Sequence, residues 1–147
     1  MDLVDTIKAE HRPADEELKW MLADPRRLVG HSSDRYWVRL VDVKKAFSQR
    51  SYSIDGSLTL EVKDSFLPWN QEVVELRSES GESSCVTSNK NPDIVLSTGD
   101  LGAVYLGGIN FSTLLAAGRI EEITKGSVSK ANLMFSTERK PWGFDGW

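Results

Sequence analysis

Ser97-Thr98-Gly99-Asp100-Leu101-Gly102-Ala103-Val104-Tyr105-Leu106-Gly107-Gly108 is the stretch on which the rest of the chain turns. Ser97 and Thr98 are N-cap residue types, and Asp100 stands three places after Ser97, a capping box with Asp in place of the usual Glu or Gln. Leu101, Val104 and Tyr105 fall at i, i+3 and i+4 and share one apolar face, while Gly107 and Gly108 supply the left-handed backbone that ends a helix. The stretch therefore predicts a short packed helix, an element of core architecture rather than an active site.

Upstream, the pattern is one of strands. After Pro92 a short apolar run, Ile94 to Leu96, delivers the chain to this helix. Asp55-Gly56 is a turn signal, and beyond it Leu58, Leu60 and Val62 alternate with Thr59, Glu61 and Lys63. Val74 and Leu76 repeat the alternation, residues 78–83 are a polar turn, and residues 84–87 a further strand, so an antiparallel meander is expected. Earlier still, Tyr36, Val38 and Leu40 alternate with Trp37, Arg39 and Val41, which predicts a central strand with large residues on both faces. Asp42 then caps a helix that turns Val43, Ala46 and Phe47 inward. Pro13 and the acidic run Asp15-Glu16-Glu17 predict a helix start, with Leu18, Met21 and Leu22 as its buried stripe and Asp24-Pro25 as its end. Residues 3–10 read as a strand with no partner nearby.

Downstream the period is helical. Asn110 caps a run with Phe111, Leu114 and Leu115 on one face and Gly118 as its stop, and Ser127 caps a last helix with Val128, Ala131 and Phe135. Strands come early and helices late, which predicts an α+β fold: a mainly antiparallel sheet with helices packed on one face.

Composition narrows the function. The chain has 147 residues, a net charge of -4 with both signs interspersed, and one cysteine. Nucleic-acid binding is not expected from such a surface. No apolar run approaches a membrane span, and the first residues lack a signal peptide's basic and apolar regions, so a soluble, cytoplasmic protein is expected. Cys85 alone excludes an internal disulfide and reads as a small buried apolar residue. His11 and His31 have no nucleophile or acid at a motif spacing, and no metal site is expected. Glu121-Glu122 and Asp15-Glu16-Glu17 read as solvated charge. Arg27-Leu28-Val29-Gly30-His31-Ser32 approximates the loop with which acetyltransferases hold a pyrophosphate, but Ser32 replaces its last small residue and no helix is expected to follow. The tail, Lys140-Pro141-Trp142-Gly143-Phe144-Asp145-Gly146-Trp147, has three aromatics without a helical or strand period, and such rings near a terminus are expected to dock.

Ordered blocks along the chain carry a family resemblance: Pro13 with Asp15 and Leu18, Leu22-Ala23-Asp24-Pro25-Arg26, Trp37-Val38-Arg39-Leu40-Val41-Asp42-Val43, Arg50 with Tyr52, Leu60-Glu61-Val62, Pro68-Trp69-Asn70, and Asp100 to Gly108. Together they resemble the C-terminal part of the Eis-like (enhanced intracellular survival) N-acetyltransferases. The resemblance implies a sterol carrier protein-like domain over residues 13–147, with a sheet of about five strands. It also implies that residues 1–12 are the last strand of a preceding acetyltransferase (GNAT) domain.

On this resemblance, acetyl-CoA is used by the full-length enzyme, no cofactor is bound by this chain, and the chain alone does not acetylate. The expected role is an accessory domain that supplies one wall of an amine-binding cleft. Its catalytic group would be the C-terminal carboxylate of Trp147, acting as general base, with Asp34, Asp145 and Phe144 as substrate contacts. Expected partners are the preceding GNAT domains and an amine substrate, with self-association left open. Two alternatives remain: a free-standing carrier of lipid or sterol with an apolar tunnel under the helices near Leu101 to Leu115, and a purely structural assembly module.

Overall fold

The structure is a computed structural model that describes residues 3–34 and 36–143. The chain divides into two units, Trp37–Glu138 and a smaller one comprising Met1–Tyr36 with Arg139–Trp147.

In the smaller unit the predicted first helix shrinks to a single turn, α1 (Leu18–Met21). Its N-cap, Glu17, makes no side-chain cap bond, and Leu22 is extended at φ -82° and ψ 142°. One turn without a cap or a partner layer cannot bury a stripe: Leu18, Met21 and Leu22 are all exposed. Asp24 instead caps a 3-10 turn, Pro25–Arg27, by accepting the Arg26 amide at 3.2 Å. Residues 3–10 are exposed and in neither helix nor strand; an extended run needs a neighbouring strand for its ladder, and none lies beside this one among the described residues.

The larger unit holds a five-stranded sheet in the order β3-β2-β1-β4-β5. Its strands are β1 (Gly56–Lys63), β2 (Val73–Glu79), β3 (Glu82–Thr87), β4 (Ile94–Ser97) and β5 (Glu121–Glu122). The predicted meander is present: β1 pairs antiparallel with β2, and β2 with β3 through a two-residue turn at Ser80-Gly81, both with positive φ. Unlike the other pairings, β4 runs parallel to β1, and Leu60 sits between Val74 on one side and Ile94 on the other.

Four helices cover one face: α2 (Val43–Ser48), α3 (Thr98–Tyr105), α4 (Phe111–Ala116) and α5 (Ser127–Phe135). Leu58, Leu60, Val62, Val74, Leu76, Ile94 and Leu96 from the sheet form one core with Phe47, Leu101, Val104, Phe111, Met134 and Phe135 from the helices. Phe135 is its aromatic hub, with ring centroids 5.8 Å from Phe47, 5.2 Å from Tyr52 and 5.1 Å from Phe111, all edge-on.

The opening stretch folds as its residues dictate. Ser97 Oγ accepts the Asp100 amide at 3.1 Å and lies 2.6 Å from Asp100 Oδ2, while Arg119 Nε donates to Asp100 Oδ1 at 2.6 Å. Gly107 at φ +77° ends the helix, and Gly108 does not share that conformation. Asp42 likewise caps α2 through the Lys45 amide at 2.9 Å. At α5 the N-cap is Gly126 rather than Ser127, and the cap oxygen comes from β5: Glu122 Oε1 accepts the amides of Gly126 at 3.1 Å and Val128 at 2.9 Å.

Residues 36–41 form no strand. At Leu40 and Val41 the carbonyls are taken up by side chains instead of a ladder. Asn70 Nδ2 donates to the carbonyls of Leu40 and Val41, both at 3.2 Å, and the Trp69 indole donates to Val41 at 2.8 Å. The segment crosses α3 so closely that a Cβ at Gly102 would overlap the Val38 carbonyl oxygen.

Candidate functional site

Three expected site residues, Phe144, Asp145 and Trp147, lie outside the described residues. The fourth, Asp34, is exposed in the irregular segment 28–34. That segment leads into no helix, so residues 27–32 build no helix N-terminus against which a pyrophosphate would sit. The acetyl-CoA loop resemblance therefore has no structural counterpart at this position.

What the smaller unit does show is how the tail begins. The Lys140 amide donates to Asp15 Oδ2 at 3.1 Å, Arg139 Nε pairs with the same carboxylate at 3.1 Å, and Arg139 Nη1 pairs with Glu17. The bond from Arg139 holds the Glu17 carboxyl below its ordinary range. At Gly143 a Cβ would run into the Tyr36 ring, so the backbone there passes close against that ring. Tyr36 follows Asp34 by two residues, and the structure thus places the base of the aromatic tail beside the stretch that contains Asp34. The acidic run read as solvated charge has this second use, as an anchor. Sequence gave no signal for it, because Arg139 lies 122 residues from Glu17.

In the larger unit the most interconnected polar group is Asp64, 2% exposed. Its Oδ1 accepts from Arg39 Nη2 at 2.5 Å and from the amides of Phe66 and Leu67 at 3.0 Å; its Oδ2 accepts from Asn70 Nδ2 at 3.1 Å. Burial alone would raise this carboxyl, but the Leu67 amide, Asn70, the Phe66 amide and Arg39 together hold it below its ordinary value. Asn70 Oδ1 in turn accepts the Val43 amide at 3.1 Å, capping α2 from 27 residues away. With every oxygen satisfied, this cluster is a fastener and not a proton-transfer site.

Arg50 plays a similar part. Its guanidinium donates to the Tyr105 and Phe135 carbonyls, both at 2.9 Å, which are the last residues of α3 and α5. One positive charge thus serves two helix C-termini, and it stacks near the rings of Tyr52 and Phe135 at 4.8 and 4.7 Å. Burial lowers its pKa.

Two of the concavities on this unit are well defined by their linings. One, about 350 Å³, is lined by residues 48–51 and 81–83; the other, about 290 Å³, by residues 38–42 with Lys45, Ala46, Gln49 and Tyr105. Both are open to solvent, and neither is a tunnel under the helices. Burial pushes the Cys85 thiol up to about 12. No cluster of metal-ligating side chains occurs among the described residues, and no helix there is long and apolar enough to cross a membrane.

Residues 43–143 match the sterol carrier protein domain family. An uncharacterized N-acetyltransferase of Streptomyces coelicolor is 37% identical over 142 residues, 97% of this chain and 34% of the relative. Among solved structures, Eis1 from Mycobacterium abscessus superposes with a TM-score of 0.80 at 32% identity, over 92% of this chain and 34% of that one. A GCN5-related N-acetyltransferase from Anabaena variabilis superposes at 0.64 and 28% identity, over 69% and 26%. The chain spans about a third of the length of the curated relatives it matches.

Proposed function

The chain belongs to the sterol carrier protein domain family, and from that premise we propose that it works as the C-terminal accessory domain of an acetyl-CoA-dependent amine N-acetyltransferase. One observation carries this: relatives named N-acetyltransferases match almost the whole chain, yet it amounts to 34% of their length. In this reading residues 1–12 belong to the preceding acetyltransferase domain, and acetyl-CoA binds there and not here. This chain supplies a wall of the amine cleft.

Its chemical contribution is the α-carboxylate of Trp147, ionised at neutral pH because its ordinary pKa is ~3.5. Such a group binds an ammonium and accepts its proton, directly or through one water, which frees the amine lone pair for attack. The anchoring of Arg139 and Lys140 on Asp15 supports the reading, since a base at a chain end needs a fixed root. Asp34 adds a second negative charge for a cationic amine. The open concavities and filled core favour this role over that of a lipid or sterol carrier.

The test is to append one glycine after Trp147 in the full-length enzyme. The carboxylate moves by one residue, and kcat for amine acetylation is expected to fall by roughly 10²-fold or more, the usual contribution of a positioned base, while acetyl-CoA binding is unchanged. Unaltered kcat would overturn the assignment of the base.

A further inference from the structure

Residues 139–143 are held at two points, both within the smaller unit. At the first, Asp15 Oδ2 takes the Lys140 amide and Arg139 Nε, each at 3.1 Å, while Arg139 Nη1 pairs with Glu17. At the second, Gly143 passes so close to Tyr36 that a Cβ would meet ring carbons Cε2 and Cδ2. The φ of Gly143 is not left-handed, so the ring and not the backbone conformation excludes a side chain there.

Neither point does much for stability. The Arg139 side chain is 55% exposed and that of Glu17 61%, and ion pairs in solvent contribute little. What the two points fix is the path of the chain. Only four residues lead from Gly143 to Trp147, a reach of at most about 14 Å when fully extended. Without the two points the tail would be rooted at Glu138, the last residue of the larger unit, nine residues from Trp147. The local concentration of a tethered group falls roughly as the −3/2 power of tether length, so this release dilutes the carboxylate about threefold. Lost orientation adds to that, since a misplacement of about 1 Å can cost ~10²-fold.

We propose that Asp15 and Tyr36 are positioning residues for the terminal carboxylate: the ion pair at Arg139 and the ring beside Gly143 together aim the tail at the amine. This rests on the reading of Trp147 as general base, and it places control of the rate on two residues far from the tail in sequence.

The full-length polypeptide is compared with the double variant Asp15→Ala with Glu17→Ala, with Gly143→Ala, and with the form carrying one glycine after Trp147. The substrate is whichever of a panel of primary amines the parent acetylates fastest. The double variant opens the ionic point, and Gly143→Ala pushes the tail off the ring without removing a bond. Each is expected to lower kcat between about threefold and 10²-fold, with KM for acetyl-CoA unchanged. Each should also change the pH profile. With the base in place, the bound ammonium and the carboxylate already hold the protons of the transition state, so kcat is level over roughly pH 6 to 8. Without it only amine that is already deprotonated attacks, and kcat climbs about tenfold per pH unit. A merely structural loss lowers kcat equally at every pH and leaves it level. A level profile, or a kcat within about twofold of the parent, would overturn Asp15 in the double variant and Tyr36 in Gly143→Ala. If the appended glycine still lowers kcat in that case, the positioning role falls alone. If the appended glycine changes nothing, or no amine is acetylated, the reading of Trp147 falls and the positioning role with it.

Discussion

Asn70→Ala is the substitution that most sharply tests how this domain is fastened. The side chain is 2% exposed and serves four groups. Its Oδ1 accepts the first amide of α2, from Val43, and its Nδ2 donates to Leu40, Val41 and Asp64. Val41 retains the Trp69 indole, and Asp64 retains Arg39 and two backbone amides. Three atoms are therefore left without the partner shown: the Val43 N–H, the Leu40 carbonyl and Asp64 Oδ2, whose retained partners all bind Oδ1; all three belong to buried residues. At about 1–3 kcal/mol for each buried polar group left unpaired, the loss should be about 6 kcal/mol, a large share of the 5–15 kcal/mol typical of a domain's total stability. Urea unfolding of the 147-residue chain, followed by far-UV circular dichroism and tryptophan fluorescence, reads it directly, with an unchanged m-value required for the comparison. Trp69→Phe, which removes only one bond at an exposed site, should cost less than ~1 kcal/mol. If Asn70→Ala costs no more than Trp69→Phe, the segment 38–41 is not held by Asn70 and the reasoning fails.

Arg50→Met should destabilise the same domain by about 2 kcal/mol, since two helix C-termini lose a charged donor, and Arg50→Lys should not restore it, because a single ammonium cannot fork to two carbonyls 30 residues apart in sequence; a fully stable lysine variant would refute the double cap. Asp64 is held below its ordinary carboxyl range in the fold, so its contribution is present above the unfolded value near 3.8 and is lost as pH falls through the folded value. Stability should therefore drop on acidification below about pH 4, and Asp64→Asn should flatten that acid limb in urea titrations; an identical slope in both proteins would count against it. With its thiol raised to about 12 by burial, Cys85 should react with Ellman's reagent at pH 8 only when the chain is unfolded, and prompt reaction of the native protein would show the strand to be open.

Where local chemistry decides the structure, the residues announce it. The alternation of Leu58, Leu60 and Val62 returns as fully buried side chains on β1, and the spacing of Ser97 and Asp100 returns as a 3.1 Å cap. Where the deciding partner is distant, they do not. Alternation in residues 36–41 predicts a strand, but only Leu40 of Tyr36, Val38 and Leu40 is buried, and the alternation says nothing about whether the carbonyls bond to a strand or to Asn70, 30 residues beyond Leu40. The stripe of Leu18, Met21 and Leu22 needs a layer to cover it, and the one turn of α1 has none to offer in its own unit. The α5 cap from Glu122 and the double cap from Arg50 are likewise non-local. For the site, recognition came from ordered blocks spread along the chain and not from any motif. Asp34 and the ion pairs at Arg139 are visible in the structure, while Phe144, Asp145 and Trp147 stand outside the described residues.

The most direct measurement of the central claim is the mass of the native polypeptide that contains this sequence, by immunoblot and intact mass spectrometry from its source cells. An accessory domain occupying 34% of an acetyltransferase predicts a polypeptide about three times the 16.5 kDa of this chain, carrying amine acetyltransferase activity. A species of 16.5 kDa alone, with no acetyltransferase sequence attached, would contradict it.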